Sequence, residues 1–156
     1  MATTSRVPAA LNALLTILRA APALAATHIE DGPPGVNLTD RHRLYIGWSP
    51  SGDQAVDLQQ SFASAGARTR DESFTITCYA ESRAGDKDMA LRRTQVFEIV
   101  AAVEAALRAT DAFPEAPTLL GAVLWSELTT GSLTQEQGSD GALAGLVFSV
   151  SCRARI

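Results

Sequence analysis

The sequence predicts an α+β fold: an antiparallel or mixed sheet of about five strands packed against two helices, in the order helix, three strands, helix, two strands. Three observations point there. One long segment in the middle of the chain carries apolar residues at helical spacing, several shorter segments alternate apolar and polar residues, and Gly- and Pro-rich breakers separate them. No internal repeat or change of composition divides the chain, so residues 1–156 read as a single α+β domain.

The first helix is expected over about residues 8 to 18, where Val7, Leu11, Leu14, Leu15 and Leu18 recur on one face. Ser5 can cap its start and Pro8 suits the first turn, where a missing N–H costs little. The apolar run ends in Ala residues like a leader peptide. Arg19 interrupts it, however, and no disulfide framework follows, so an amphipathic helix in a cytoplasmic chain is favoured. The breaker Gly32-Pro33-Pro34-Gly35 should form an irregular connection to the first strand.

Strands are expected over residues 43–48, 55–62 and 72–81, with a turn at 49–53 and a hairpin connection at 64–70. In the third of these Phe74, Ile76, Cys78 and Ala80 alternate with Thr75, Thr77 and Tyr79. The second helix follows over about residues 88 to 110, capped by Asp86 or Asp88. Its apolar stripe is Met89, Val96, Phe97, Val100, Val103 and Leu107, with Arg92, Arg93, Gln95, Glu98 and Arg108 toward solvent. Two prolines after Asp111 end it. Two long strands, over about 119–130 and 142–156, should then pair antiparallel around a polar, Gly-rich tip at 131–141.

Composition narrows the function. With 46% hydrophobic and 19% charged residues, the chain is expected to fold rather than stay disordered. A net charge of -4 argues against nucleic-acid binding, which needs clustered Lys and Arg. No apolar run is long enough to span a membrane. Cys78 and Cys152 lie in alternating strands and read as buried thiols, able to form a disulfide only if two strands place them side by side.

The sequence carries no recognisable catalytic or cofactor-binding motif, and neither an enzymatic activity nor a cofactor is expected. His28 and His42 sit in or beside the irregular segment, away from any Ser or Cys that would serve as a nucleophile. The acidic pairs Asp53/Asp57 and Asp86/Asp88 fall at turns, where Asp caps and bonds locally. His28, Glu30 and Asp31 match no metal-ligand spacing and read as a solvated loop, and phosphate-binding glycine motifs are absent from the sequence.

The unusual features are apolar. Val123 and Trp125 point away from Leu120 and Leu124, so the strand expected at 119–130 carries apolar residues on both faces. That pattern fits a central strand covered on both sides, one aromatic packed under a loop, or a subunit interface, where aromatic residues are enriched. Arg153 and Arg155 line the polar face of the last strand and could pair with acidic groups of a neighbour or face solvent. Val123, Trp125, Arg153 and Arg155 are therefore the candidate subunit-interface residues.

The layout as a whole resembles the tail terminator proteins, also called tail-completion or minor tail proteins, of long-tailed bacteriophages and prophages. The likeness is carried by the N-terminal helix ending before a Pro/Gly segment, the short strand with Tyr45 and Trp48, and the strand at 73–81. The helix opening Asp88-Met89-Ala90-Leu91-Arg92-Arg93 and the closing hairpin opening Leu119-Leu120-Gly121-Ala122-Val123 complete it. The resemblance implies a structural virion protein, assembled in the host cytoplasm, that caps the head-proximal end of the tail tube as a homohexameric ring. It implies contacts with the tail tube protein and the head-connector protein, no cofactor and no reaction. DNA would pass through the lumen without specific binding, which suits a net negative charge. Two alternatives stay open: another phage neck or head–tail connector component, and a small-molecule-binding α+β domain with a polar pocket beneath the second helix.

Overall fold

A computed structural model describes residues 4–35, 39–62, 64, 66 and 68–156. Helix α1 is Val7–Ala20, followed by a short 3-10 turn at Pro22–Leu24. Strands β1 (His28–Asp31), β2 (His42–Ile46), β3 (Val56–Phe62) and β4 (Arg70–Ala84) precede helix α2 (Met89–Ala106). Strands β5 (Trp125–Gly138) and β6 (Gly141–Arg155) close the chain. The fold is α+β, with both helices on one face of a six-stranded mixed sheet ordered β1-β2-β4-β6-β5. β3 also pairs with β4, beside β2 rather than outside it.

β4 and β6 form the spine. They pair antiparallel without interruption from Asp71 opposite Arg155 to Ala84 opposite Ala142. On the helix side Phe74, Ile76, Cys78 and Ala80 meet Leu146, Phe148, Val150 and Cys152, and all are buried. Ala10, Leu14, Ile17 and Leu18 of α1 and Val96, Ile99, Val100 and Val103 of α2 complete this core. Each of these side chains gains about 1.5–3 kcal/mol on full burial, except the alanines, which gain less.

Both helix starts behave as their sequences require. Asp88 caps α2, its carboxylate accepting the Leu91 N–H at 3.1 Å. At α1, Ser5 Oγ accepts the Val7 N–H at 3.0 Å, and Pro8 sits in the first turn. A second acceptor comes from across the fold: Glu72 of β4, fully buried, takes the Arg6 N–H at 2.8 Å and the Gln60 side-chain N–H at 2.6 Å. A carboxylate so placed is stabilised by the positive end of the helix dipole and ties α1 to the sheet.

Several expected boundaries move. β1 was expected to be irregular connection. It pairs parallel to β2, its backbone satisfied by Leu44 and its neighbours across the ladder. The turn at 49–53 is present, the Gly52 N–H donating to Ser49 O at 3.3 Å, and the strands it joins, β2 and β3, run the same way and pair with successive stretches of β4. Residues 65 and 67 of the expected hairpin connection lie outside the described residues, but β3 and β4 on either side pair antiparallel as a hairpin requires. α2 ends at Ala106, short of the expected residue 110. On α2 the stripe is rotated: Ile99 is buried, Phe97 is 48% exposed, and Arg92 is buried. The core-facing arc runs 92, 96, 99–100, 103 and 107. Arg92 is accommodated at its end by reaching Asp86 at 3.8 Å, which leaves its Nε without a hydrogen bond.

The largest correction concerns residues 119–124. They form a tight turn after a 3-10 turn at Ala116–Thr118. Leu119 and Leu120 have positive φ of 46° and 57°, and Gly121 follows at 86°. The strain of left-handed leucines is offset by complete burial of Leu119. The apolar doubling at 119–124 is therefore a plugging turn. β5 starts at Trp125 and runs on to Gly138, so the expected long tip shrinks to a two-residue hairpin turn at Ser139 and Asp140.

On the sheet face away from the helices a second, smaller packing unit forms. Tyr45, Trp48 and Tyr79 lie with ring centroids 5.0–6.0 Å apart, and Tyr45 and Tyr79 are buried. Gly145 of β6 makes room for it, since a Cβ there would run into the Tyr79 ring. Gly145→Ala should lower stability to urea by about 1–3 kcal/mol through overpacking. In a Tyr79→Ala background the same change should be near neutral, within about 0.5 kcal/mol; equal costs in the two backgrounds would refute the steric account.

Candidate interaction surface

The four residues expected at an interface part company in the structure. Val123 is buried in the main core, held by its N–H to Thr118 O at 3.1 Å, so it is a packing residue and offers no surface to a neighbour. Trp125 opens β5 and is 43% exposed, directly opposite Arg153 on β6. Arg153 and Arg155 project from the helix-free face of β6 and turn to Asp71 of β4, within the same chain, at 3.8 Å and 2.8 Å. The structure thus gathers Trp125, Arg153, Arg155 and Asp71 into one patch at one end of the open sheet face, with exposed Leu124 beside it.

The hydrogen bond from Arg155 holds the Asp71 carboxyl below its usual range; desolvation opposes it, and the charges of Arg155 and then Arg153 add to the lowering. The same bond raises Arg155. A depressed folded-state carboxylate stabilises the fold above its unfolded pKa and loses that contribution as pH falls through the depressed value. The patch is solvent-exposed, so salt screens it and its energetic weight is small.

Further up the same face, Glu81 is buried between Arg43 at 3.5 Å and Arg83 at 3.9 Å and accepts the Tyr79 hydroxyl at 3.2 Å. Burial raises both Tyr45 and Tyr79, with Glu81 adding to the effect. A shallow concavity of about 460 Å³ opens here, walled by Pro34, Trp48, Pro50 and Glu136. The residues that shape it were legible as Tyr45 and Tyr79 on the polar sides of their strands, and as a glycine inside an otherwise regular strand.

Both histidines are engaged in side-chain hydrogen bonds. His28 contacts Glu30 at 2.8 Å and Asp40 at 3.6 Å, whereas Asp31, grouped with them by sequence, points to the other side of β1. His42 bonds to Gln95 at 3.2 Å, joining β2 to α2. Among the described residues no group of three His, Cys, Asp or Glu side chains is placed to hold a metal ion. The space beneath α2 is filled by Phe148, Val150 and Leu146 rather than opening into a polar pocket, and the groove along its β5 side is apolar.

Cys78 and Cys152 are both buried and free. They lie on the same face of adjacent strands but out of register, Cys78 opposite Phe148 and Cys152 opposite Phe74. Burial pushes both thiols up to about 12. The folded protein at pH 8 should therefore leave a thiol-specific dye unreacted, and denaturant should expose both groups. Rapid labelling of either in the folded state would show that the sheet opens there.

No family model matches the chain, and no curated protein matches it. Among solved structures, a chain described as "Virion of native gene transfer agent (GTA) particle" superposes with a TM-score of 0.66. The match covers 99% of this chain and 100% of that one at 11% sequence identity. At that identity the likeness is one of fold, and it extends over the whole domain: this chain shares its architecture with a subunit of that virion particle.

Proposed function

We propose that the protein is a structural subunit of a phage-like virion, a tail terminator that caps the tail tube as a homo-oligomeric ring, expected to be a hexamer, and presents the joining surface to the head. The observation that carries this reading is the end-to-end fold likeness to a chain of a gene transfer agent virion. The side-chain arrangement agrees with an assembly role rather than an enzymatic one. Both histidines are taken up by hydrogen bonds, the cysteines are buried, and large apolar and aromatic side chains such as Phe62, Phe97, Leu124 and Trp125 are exposed.

On this reading the partners are further copies of the chain, the tail tube protein and the head-connector protein. The protein acts at the head-proximal end of the tail after assembly in the host cytoplasm. A ring follows when a heterologous contact is repeated around a closed rotation. A net charge of -4 gives DNA in the lumen little reason to adhere. Trp125, exposed and at the head of β5, is the strongest single anchor for a protein contact.

The test is electron microscopy of the purified protein mixed with tail tubes, with light-scattering mass measurement of the protein alone. Rings seated on tube ends are expected. Rings that bind the connector and ignore the tube would move the protein to another level of the neck, and failure to form rings under either condition would discard the proposal. Trp125→Ala should weaken association at least about tenfold, a loss of about 1.4 kcal/mol, while the monomer keeps its wild-type melting temperature.

A further inference from the structure

The two lateral edges of the sheet are matched to each other. β3 and β5 each have one ladder partner, β4 and β6, and no other backbone hydrogen bond among the described residues reaches their outer sides. Proteins commonly guard such edges with Lys or Pro. Neither residue occurs in β3 or β5, and arginine is missing from both as well. The one irregularity of β5, a bulge between Leu128 and Thr130, lies toward its start and leaves the stretch from Thr130 to Gly138 regular.

Direction and facing also agree. β3 is antiparallel to β4, β4 to β6 and β6 to β5, so β3 and β5 run opposite ways. Rotation about an axis along the strands preserves direction, so a neighbouring copy so placed brings its β3 antiparallel to this β5. Leu58 stands opposite the core residue Phe74, which puts Leu58 and Phe62 on the helix side of the sheet, where they are 44% and 66% exposed. Leu133 stands opposite buried Leu146, hence also on the helix side. Between it and exposed Phe97 of α2 runs an apolar groove of about 490 Å³ floored by Leu128, Val100 and Phe148.

We propose that the occupant of this groove is a second copy of the chain: its β3 edge adds to β5 and lays Leu58 and Phe62 against Leu133 and Phe97. Main-chain bonds give the contact its affinity and the two apolar pairs set its register, as in β-strand addition generally. β1 stands beyond β2 on the same side as β3, so β3 lies in a notch. Seating β5 there staggers each copy along the strands, the offset a sheet needs in order to close around an axis. This inference rests on the ring reading and names the surfaces that build it.

Complementation tests it. One variant carries Leu58→Lys and Phe62→Lys, the other Phe97→Lys and Leu133→Lys; all four positions are exposed, and Ser at the same positions provides a milder pair. Circular dichroism melting should match wild type. Each variant alone should lose the oligomer and run as a monomer by light scattering. An equal mixture should run at the mass of two chains, because the intact β5 of the first meets the intact β3 of the second and neither free end can extend. Variants that assemble like wild type, or a mixture that stays monomeric, would overturn the inference. Wild-type rings alongside unaffected variants would sink this interface and leave the ring reading standing. A dimeric mixture alongside wild-type filaments would do the reverse, and wild type that forms no oligomer either alone or on tail tubes would end both.

Discussion

The fold depends on the pairing of β4 with β6. This single antiparallel ladder joins residues 71–84 to residues 142–155, and every other element is hung from it. β2 and β3 share its one outer side, β5 takes the other, and both helices rest on its apolar face. The contact is non-local, so its loop-closure entropy must be offset by burial, and Phe74, Ile76, Cys78, Phe148 and Val150 supply that along one continuous face. Glu72, at one end of the ladder, accepts the N–H of Arg6, the N-cap of α1, and so fixes where α1 begins relative to the sheet.

The opposite face of the same ladder is where the molecule is specialised. Alternation puts Tyr79, Glu81 and Arg83 there, and the glycine at 145 lets Tyr79 lie flat beside Tyr45 and Trp48. Lower down, the same alternation aligns Asp71 with Arg155 and Arg153 beneath Trp125. One face thus builds the core and the other carries a row of aromatic and charged groups. The large exposed apolar residues collect at β3, on α2, at β5 and at the turn before β5.

Much of this was legible from residue periodicity. The strands at 43–48, 55–62 and 72–81 are present with shifts of a few residues, as are the first helix, the second helix with its Asp88 cap, and the final strand. Their signals are local: period two or period 3.6, bounded by Gly, Pro or a capping residue. Misreadings arose where a local pattern had two solutions. Arg92 looked like a solvent residue because its charge outweighs its position, yet its stem completes the buried arc of α2. Leu119 through Leu124 looked like a strand because turns built on left-handed leucines are rare enough that sequence offers no cue.

Of the four expected interface residues, sequence alternation correctly separated Arg153 and Arg155 from the core face of β6, and it could not tell Val123 in the core from Trp125 at the surface. That distinction depends on where the chain leaves the turn and joins β6, a tertiary event. By itself the sequence determined the α+β class, the element types and which residues alternate toward the core, because these follow from short-range periodicity. The tertiary structure alone decided that β2 and β3 share one side of β4, that Asp71 claims both arginines, and that β3 and β5 are left as opposed edges. The Asp71 contacts join residues far apart in the chain, and the long-range register of β4 with β6 brings them together.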